Sequence, residues 1–150
     1  MSIEKKTTRE LNALIEIARD GEHFYREASK KIHDKALADL FTHIADAKQA
    51  VVTKLSAVVF FVGLEPAKHG TVLGMTRKLY AKVRAGLGGG DFAYLTELEE
   101  AEDRLLNEFI ATATDVDISI AGREAVAGLI PSLKDTRKVL GHRRRELQLQ

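Results

Sequence analysis

The chain has 150 residues, a formal net charge of +1 and no cysteine. A near-neutral balance supplies no global field for nucleic acid or an anionic membrane, and the missing thiols exclude disulfides, thiolate zinc sites and cysteine nucleophiles. The length fits one domain, large enough to bury roughly 68–70% of its unfolded surface.

The N-terminal stretch lacks the long apolar run of a signal peptide. The most apolar window, Ala57 to Leu64, is too short to span a bilayer. A cytoplasmic protein without membrane insertion is expected. Thr7 or Thr8 is placed to cap a first helix over 7–31, with apolar residues recurring at Leu11, Leu14, Ile15, Ala18, Phe24, Tyr25 and Ala28. Asp34 is a good N-cap for a second helix over 34–62. Its stripe is Leu37, Leu40, Phe41, Ile44, Ala47, Val51, Leu55, Val58 and Val62. The short link makes these two helices antiparallel neighbours. The second half of this helix, AVVTKLSAVVFFVGL, is rich in β-branched and aromatic residues and read alone resembles a strand. It continues the helical stripe and has no partner strand, so a helix is expected. It is apolar on more than one face, and Val58, Val59, Phe60, Phe61 and Leu64 are the expected interface for a homodimer or protein partner.

The stretch from Gly63 to Asp91 is the longest connection. Glycine and proline mark its ends, and a short amphipathic helix is expected over 72–86, with Arg77, Lys78, Lys82 and Arg84 on its outer face. A link of this length can run the full length of a bundle, so that the helices on either side are parallel. Asp91 caps a third helix over 91–113, with Leu95, Leu98, Glu102, Leu105 and Phe109 on one row. A fourth helix is expected over 118–147, with Pro131 inside it, and the end of the chain, GHRRRELQLQ, reads as a frayed basic tail. The Arg143-Arg144-Arg145 run lacks interleaved aromatics, and specific nucleic-acid binding is not expected. The fold class is all-α: a four-helix bundle with one long crossover.

Glu102 stands on a row that should face the core. Glu22 takes a similar place on the row Leu11, Ile15, Ala18, Glu22, Tyr25 of the first helix. A buried carboxylate needs a cation, a metal or a proton. One reading is a carboxylate-bridged metal site; the other puts both glutamates at the stripe's edge, in water or paired with Lys or Arg.

These features resemble a small bacterial family of ferritin-like four-helix-bundle proteins, known as a domain of unknown function. The resemblance runs over about residues 8–140. It rests on LNALIEIARDGEHFYREAS in the first helix, Leu40-Phe41, Gly63 with Glu65 and Pro66, Gly90-Asp91, and Glu99, Glu102 and Asp103. It implies the ferritin-like topology and a loose tie to stress conditions. Metal-binding bundles of that kind take a Glu from each of two helices and a Glu-x-x-His motif from each of the other two. The register puts the two motifs at Ala47 and Ala50, and at Pro131 and Lys134, and the chain has no Glu-x-x-His anywhere. The expectation is therefore a scaffold that has lost its di-iron ligands and holds no cofactor. Glu22, Glu102, Lys48 and Lys134 are its buried structural charges, with one lysine supplying the positive charge that metal supplies elsewhere. The competing expectation is a metal-binding or oxidase-type protein that holds iron or another divalent metal through Glu22, Glu99, Glu102 and His43.

Overall fold

A computed structural model of the chain describes residues 2–61, 66 and 91–149, the side chains of 91–94 excepted. These residues form four helices and no strand: α1 (Ile3–Lys31), α2 (Lys35–Phe61), α3 (Asp91–Ala113) and α4 (Ile120–Gln148). The short helix expected over 72–86, and Leu64 of the expected interface, lie outside the described residues. Among the described residues no helix is long and apolar enough to cross a membrane.

The helix ends follow from local chemistry. Ser2 caps α1, its Oγ accepting from the Lys5 N–H at 3.2 Å. The helix therefore begins at Ile3 rather than at Thr7, because a serine cap stands one turn upstream. Thr7 is buried instead, and its Oγ1 accepts from the Ser119 N–H at 2.9 Å. Asp34 caps α2 through Oδ1, which accepts from the Leu37 N–H at 3.1 Å. Ser119 caps α4, its Oγ accepting from the Gly122 N–H at 3.1 Å. A Cβ on Gly122 would come within 2.8 Å of the Thr7 methyl, so only glycine lets α4 start this close to α1. The β-branched half of α2 is helical, since its buried residues continue one stripe. Pro131 lies inside α4. Both it and Ala127, whose carbonyl loses the proline's missing N–H, are exposed, so that carbonyl turns toward water.

The basic end of the chain is not frayed. It is the last two turns of α4, held by ion pairs. Arg143 reaches Asp34 and Glu146, each at 3.0 Å, and Arg144 pairs with Glu99. Asp34 thus both caps α2 and anchors α4. Asp34→Ala is expected to lower the unfolding free energy in urea by about 1–2 kcal/mol, with Asp34→Asn recovering the capping share.

These contacts set the helix directions. The start of α1 meets the start of α4 at Thr7 and Ser119, and the α1–α2 turn meets the end of α4 at Asp34 and Arg143. α1 and α4 therefore run parallel. Lys6 near the start of α1 pairs with Asp115 just beyond α3, at 3.0 Å, so α3 runs against α1. The Asp117 N–H and then Lys6 hold the Asp115 carboxyl below the usual carboxylate range, and its hydrogen bond to Asp115 raises the Lys6 ammonium above the usual lysine value. α1 packs along α2 and α3 along α4, while α2 also meets α4 and α1 meets α3. Neighbours around the square are antiparallel; the diagonal pairs, α1 with α4 and α2 with α3, are parallel. The end of α2 and the start of α3 consequently lie at opposite ends of the molecule.

Among the described residues the interior has two apolar clusters. One gathers Phe24, Tyr25, Leu37, Phe41, Leu95, Leu98 and Leu140 at the end carrying the α1–α2 turn. The other gathers Leu11, Ile15, Val51, Leu55, Phe109, Val126 and Leu133 at the opposite end. Between them each helix contributes a different kind of residue. α1 has Gly21, α2 has Lys48, α3 has Glu102 and α4 has Thr136, all buried. The candidate site is this layer.

Candidate functional site

Glu102 has no exposed surface, and Lys48 is 2% exposed. Lys48 Nζ donates to Glu102 Oε2 at 2.6 Å across the α2–α3 diagonal. The Tyr25 hydroxyl donates to Glu102 Oε1 at 2.8 Å. Both carboxylate oxygens are engaged, one by an ammonium and one by a phenol. Tyr25 is itself fully buried and packs edge-on against Phe24 and Phe41, with ring centroids 5.3 and 5.2 Å away. Its ring is thus fixed by packing before its hydroxyl is used. Thr136, on α4 at the same level, turns its hydroxyl to the Ser132 carbonyl at 3.2 Å.

The buried row of α2 explains why Lys48 points inward. It runs Leu37, Phe41, Ile44, Lys48, Val51, Leu55, Val59, in steps of three and four. Such steps keep a helix face turned toward the core. Glu102 occupies the corresponding step of α3, between Leu98 and Leu105. The stripe drawn through Ala47 and Val58 lies one residue off this row. Ala47 and Val58 are half-buried, while Val59, expected at the interface, is buried in the core.

The other expected site residues are placed elsewhere. Glu22 is half-buried and lines a surface hollow with Arg19, Gln49 and Ser56. Gly21, its neighbour, takes the inward step, which leaves the glutamate at the side of the stripe. Lys134 is exposed: Leu133 fills the inward step of α4, and the next residue is turned about 100° away. Neither is a buried charge. His43 is exposed on α2 and remote from the layer in kind, since Ile44 takes the inward position beside it. Glu99 is half-buried and paired with Arg144, and a Cβ on Gly141 would lie 2.6 Å from its Oε1. Phe60 and Phe61, at the end of α2, are 75% and 90% exposed.

One participant, Tyr25, lacked a signal for its role in the sequence. Tyr25 has the apolar spacing of a core residue, and nothing local marks its hydroxyl as a donor to an acid 77 residues away. Lys48 was expected as a buried charge beside the stripe, and filling the gap between Ile44 and Val51 in steps of four and three puts it on the inward row itself.

A family model described as "Domain of unknown function (DUF2383)" matches residues 6–114. The chain belongs to this family. The DUF2383 match takes in Tyr25, Lys48 and Glu102 and ends just after α3, so α4 lies outside it. No curated protein and no solved structure matches the chain.

The donor set does not suit a di-iron centre of the kind that metal-binding four-helix bundles hold. Such a centre needs several carboxylates and imidazoles converging on one point. Among the described residues no three His, Asp or Glu side chains do so. The one fully buried carboxylate of the layer already has an ammonium on one oxygen and a phenol on the other. A fixed cation at this place repels a metal ion and satisfies the acid without one.

Proposed function

We propose that this DUF2383 protein is a ferritin-like four-helix scaffold whose metal centre has been replaced by an internal Lys48–Glu102 ion pair, and that it works by association rather than by catalysis. One observation carries the reading: Lys48 Nζ stands 2.6 Å from Glu102 Oε2 at the middle of the core, where both residues are shut off from solvent. A pair so enclosed meets no substrate. The helix directions support the scaffold, because parallel diagonal pairs are what a long crossover between α2 and α3 produces. The expected contact with a second copy or a protein partner is the end of α2, where Phe60 and Phe61 stand free of the core. The tie to bacterial stress conditions rests on the family resemblance.

One experiment tests both halves. The protein, purified without a metal-affinity tag, is offered Fe(II), Mn(II) and Zn(II), desalted and weighed by native mass spectrometry. The expected result is far less than one metal per chain, and a mass above the monomer that Phe60→Ser lowers. Near-stoichiometric metal that disappears in Glu102→Ala would establish the metal-binding reading through Glu102 instead. A monomer at every concentration would remove self-association and leave a different protein as the partner.

A further inference from the structure

The outer side of α2 carries a row whose spacing reads the same in both directions. His43, Asp46, Ala50, Lys54 and Ala57 follow one another in steps of three, four, four and three, and all five are exposed. Such steps stay on one face of a helix. Two copies of this helix laid antiparallel across a two-fold axis at Ala50 would match the row to itself. Ala50 would meet its own copy, His43 the partner's Ala57, and Asp46 the partner's Lys54. A two-fold contact uses the same patch on both sides, so the acid–base pair would form twice. The rest of this face carries little charge. Between Gln49 and Phe61 the single charged residue is Lys54. On the diagonal helix, α3, the exposed positions include Glu100, Arg104 and Glu108.

The row also leaves room for a close approach. Ala50 carries only a methyl group, so two backbones can near each other there to about 8 Å, the short end of helix packing distances. Beside it lies a hollow of about 570 Å³, with Ala47 and Ala50 on its α2 side and Gly128 and Ser132 on its α4 side. A Cβ on Gly128 would meet nothing within 4 Å. Asp46 is held in place and still open: Arg26 engages its Oδ1 at 3.2 Å, and its side chain is 61% exposed. We infer that a second copy of this chain docks on this face, with the two α2 helices antiparallel about an axis at Ala50 and Asp46 paired with the partner's Lys54 on either side of it. The inference rests on the self-association reading above and assigns the face that serves it. Phe61, one step beyond Ala57, then lies at the rim of the contact.

Two measurements separate the geometry from association as such. Sedimentation of the parent chain over a concentration series reads association, and thiol cross-linking reads the face. The chain has no cysteine, so one introduced thiol reports alone. Ala50→Cys should form a disulfide-linked dimer under mild oxidation, because residues on the axis of a close helix pair fall within the Cα separation a disulfide spans, roughly 4.4–6.8 Å. Arg104→Cys, on α3, should stay a monomer under the same oxidation. Both positions are exposed, so neither change touches the core. Lys54→Asp sets acid against acid twice and should weaken the dimer about tenfold, while adding Asp46→Lys exchanges the signs and should bring it back to within about threefold of the parent. A dimeric parent in which Ala50→Cys links no faster than Arg104→Cys would overturn the α2 pairing and leave self-association to another surface. So would an exchange that restores nothing of what Lys54→Asp loses. A parent that is monomeric at every concentration would remove the pairing and the self-association reading together.

Discussion

Lys48→Met is expected to lower the unfolding free energy by roughly 3–5 kcal/mol, and Glu102→Leu by a similar amount, while the double variant returns close to the parent protein. The singles are damaging because each leaves one ion in a dry interior. Lys48→Met leaves the Glu102 carboxylate with the Tyr25 hydroxyl alone, and Glu102→Leu leaves the Lys48 ammonium with no anion. Removing both charges lets the two apolar clusters close into one, because the layer that separates them becomes apolar. The measurement is a double-mutant cycle by urea unfolding, with the slope checked so that only stability has changed. A double variant that loses the sum of the two singles would show that the residues do not interact. The coupling should also persist in high salt, since a pair this deep is screened little. The exposed pair Arg137–Asp103, at 2.8 Å between α4 and α3, offers the contrast. Its loss should change stability by no more than about 1 kcal/mol and should matter less as salt rises.

The second large effect is expected at Phe41. This ring is fully buried and meets Tyr25 edge-on at 85°. Phe41→Ala should destabilise the protein by about 3–5 kcal/mol, the sum of lost transfer energy and a cavity that the surrounding helices only partly close. The cavity would open against the Tyr25 ring, whose hydroxyl serves Glu102. The effect should therefore reach the polar layer as well as the apolar cluster. Tyr25→Phe isolates the second part. It keeps the ring and removes the donor, at about 1–3 kcal/mol. Because Phe41 and Tyr25 touch, the double variant should lose less than the two singles added. A loss below about 1 kcal/mol in Phe41→Ala would contradict the packing around Tyr25.

Much of the architecture was legible in the chain because helix periodicity is a local property. The spacing of Leu11, Leu14, Ile15 and Ala18, and of Leu95, Leu98, Glu102 and Leu105, follows from 3.6 residues per turn and needs no partner to be read. The Asp34 cap is equally local, since its acceptor and the Leu37 N–H lie within one turn. Glu102 was recognisable as an inward acid for the same reason: its neighbours on the row are leucines. Which of the two expected lysines satisfies that acid was beyond local reading. Lys48 and Lys134 each adjoin an apolar stripe, and a one-residue step, about 100° around a helix, separates a buried lysine from an exposed one. That step was decided by where α2 and α4 pack. In α2 it brings Lys48 under Glu102, 54 residues away, and in α4 it leaves Lys134 in water.

The same division explains the end of the chain. A run of three arginines has no apolar stripe strong enough to mark it as docked, so from the sequence it reads as a tail. The anions that hold it, Asp34 and Glu99, come from the α1–α2 turn and from α3. Periodicity and capping are set by neighbours in the chain and were determined by the sequence alone. Which charges are buried, and against what, depends on the angular setting of helices distant in sequence, and only the tertiary structure decided it.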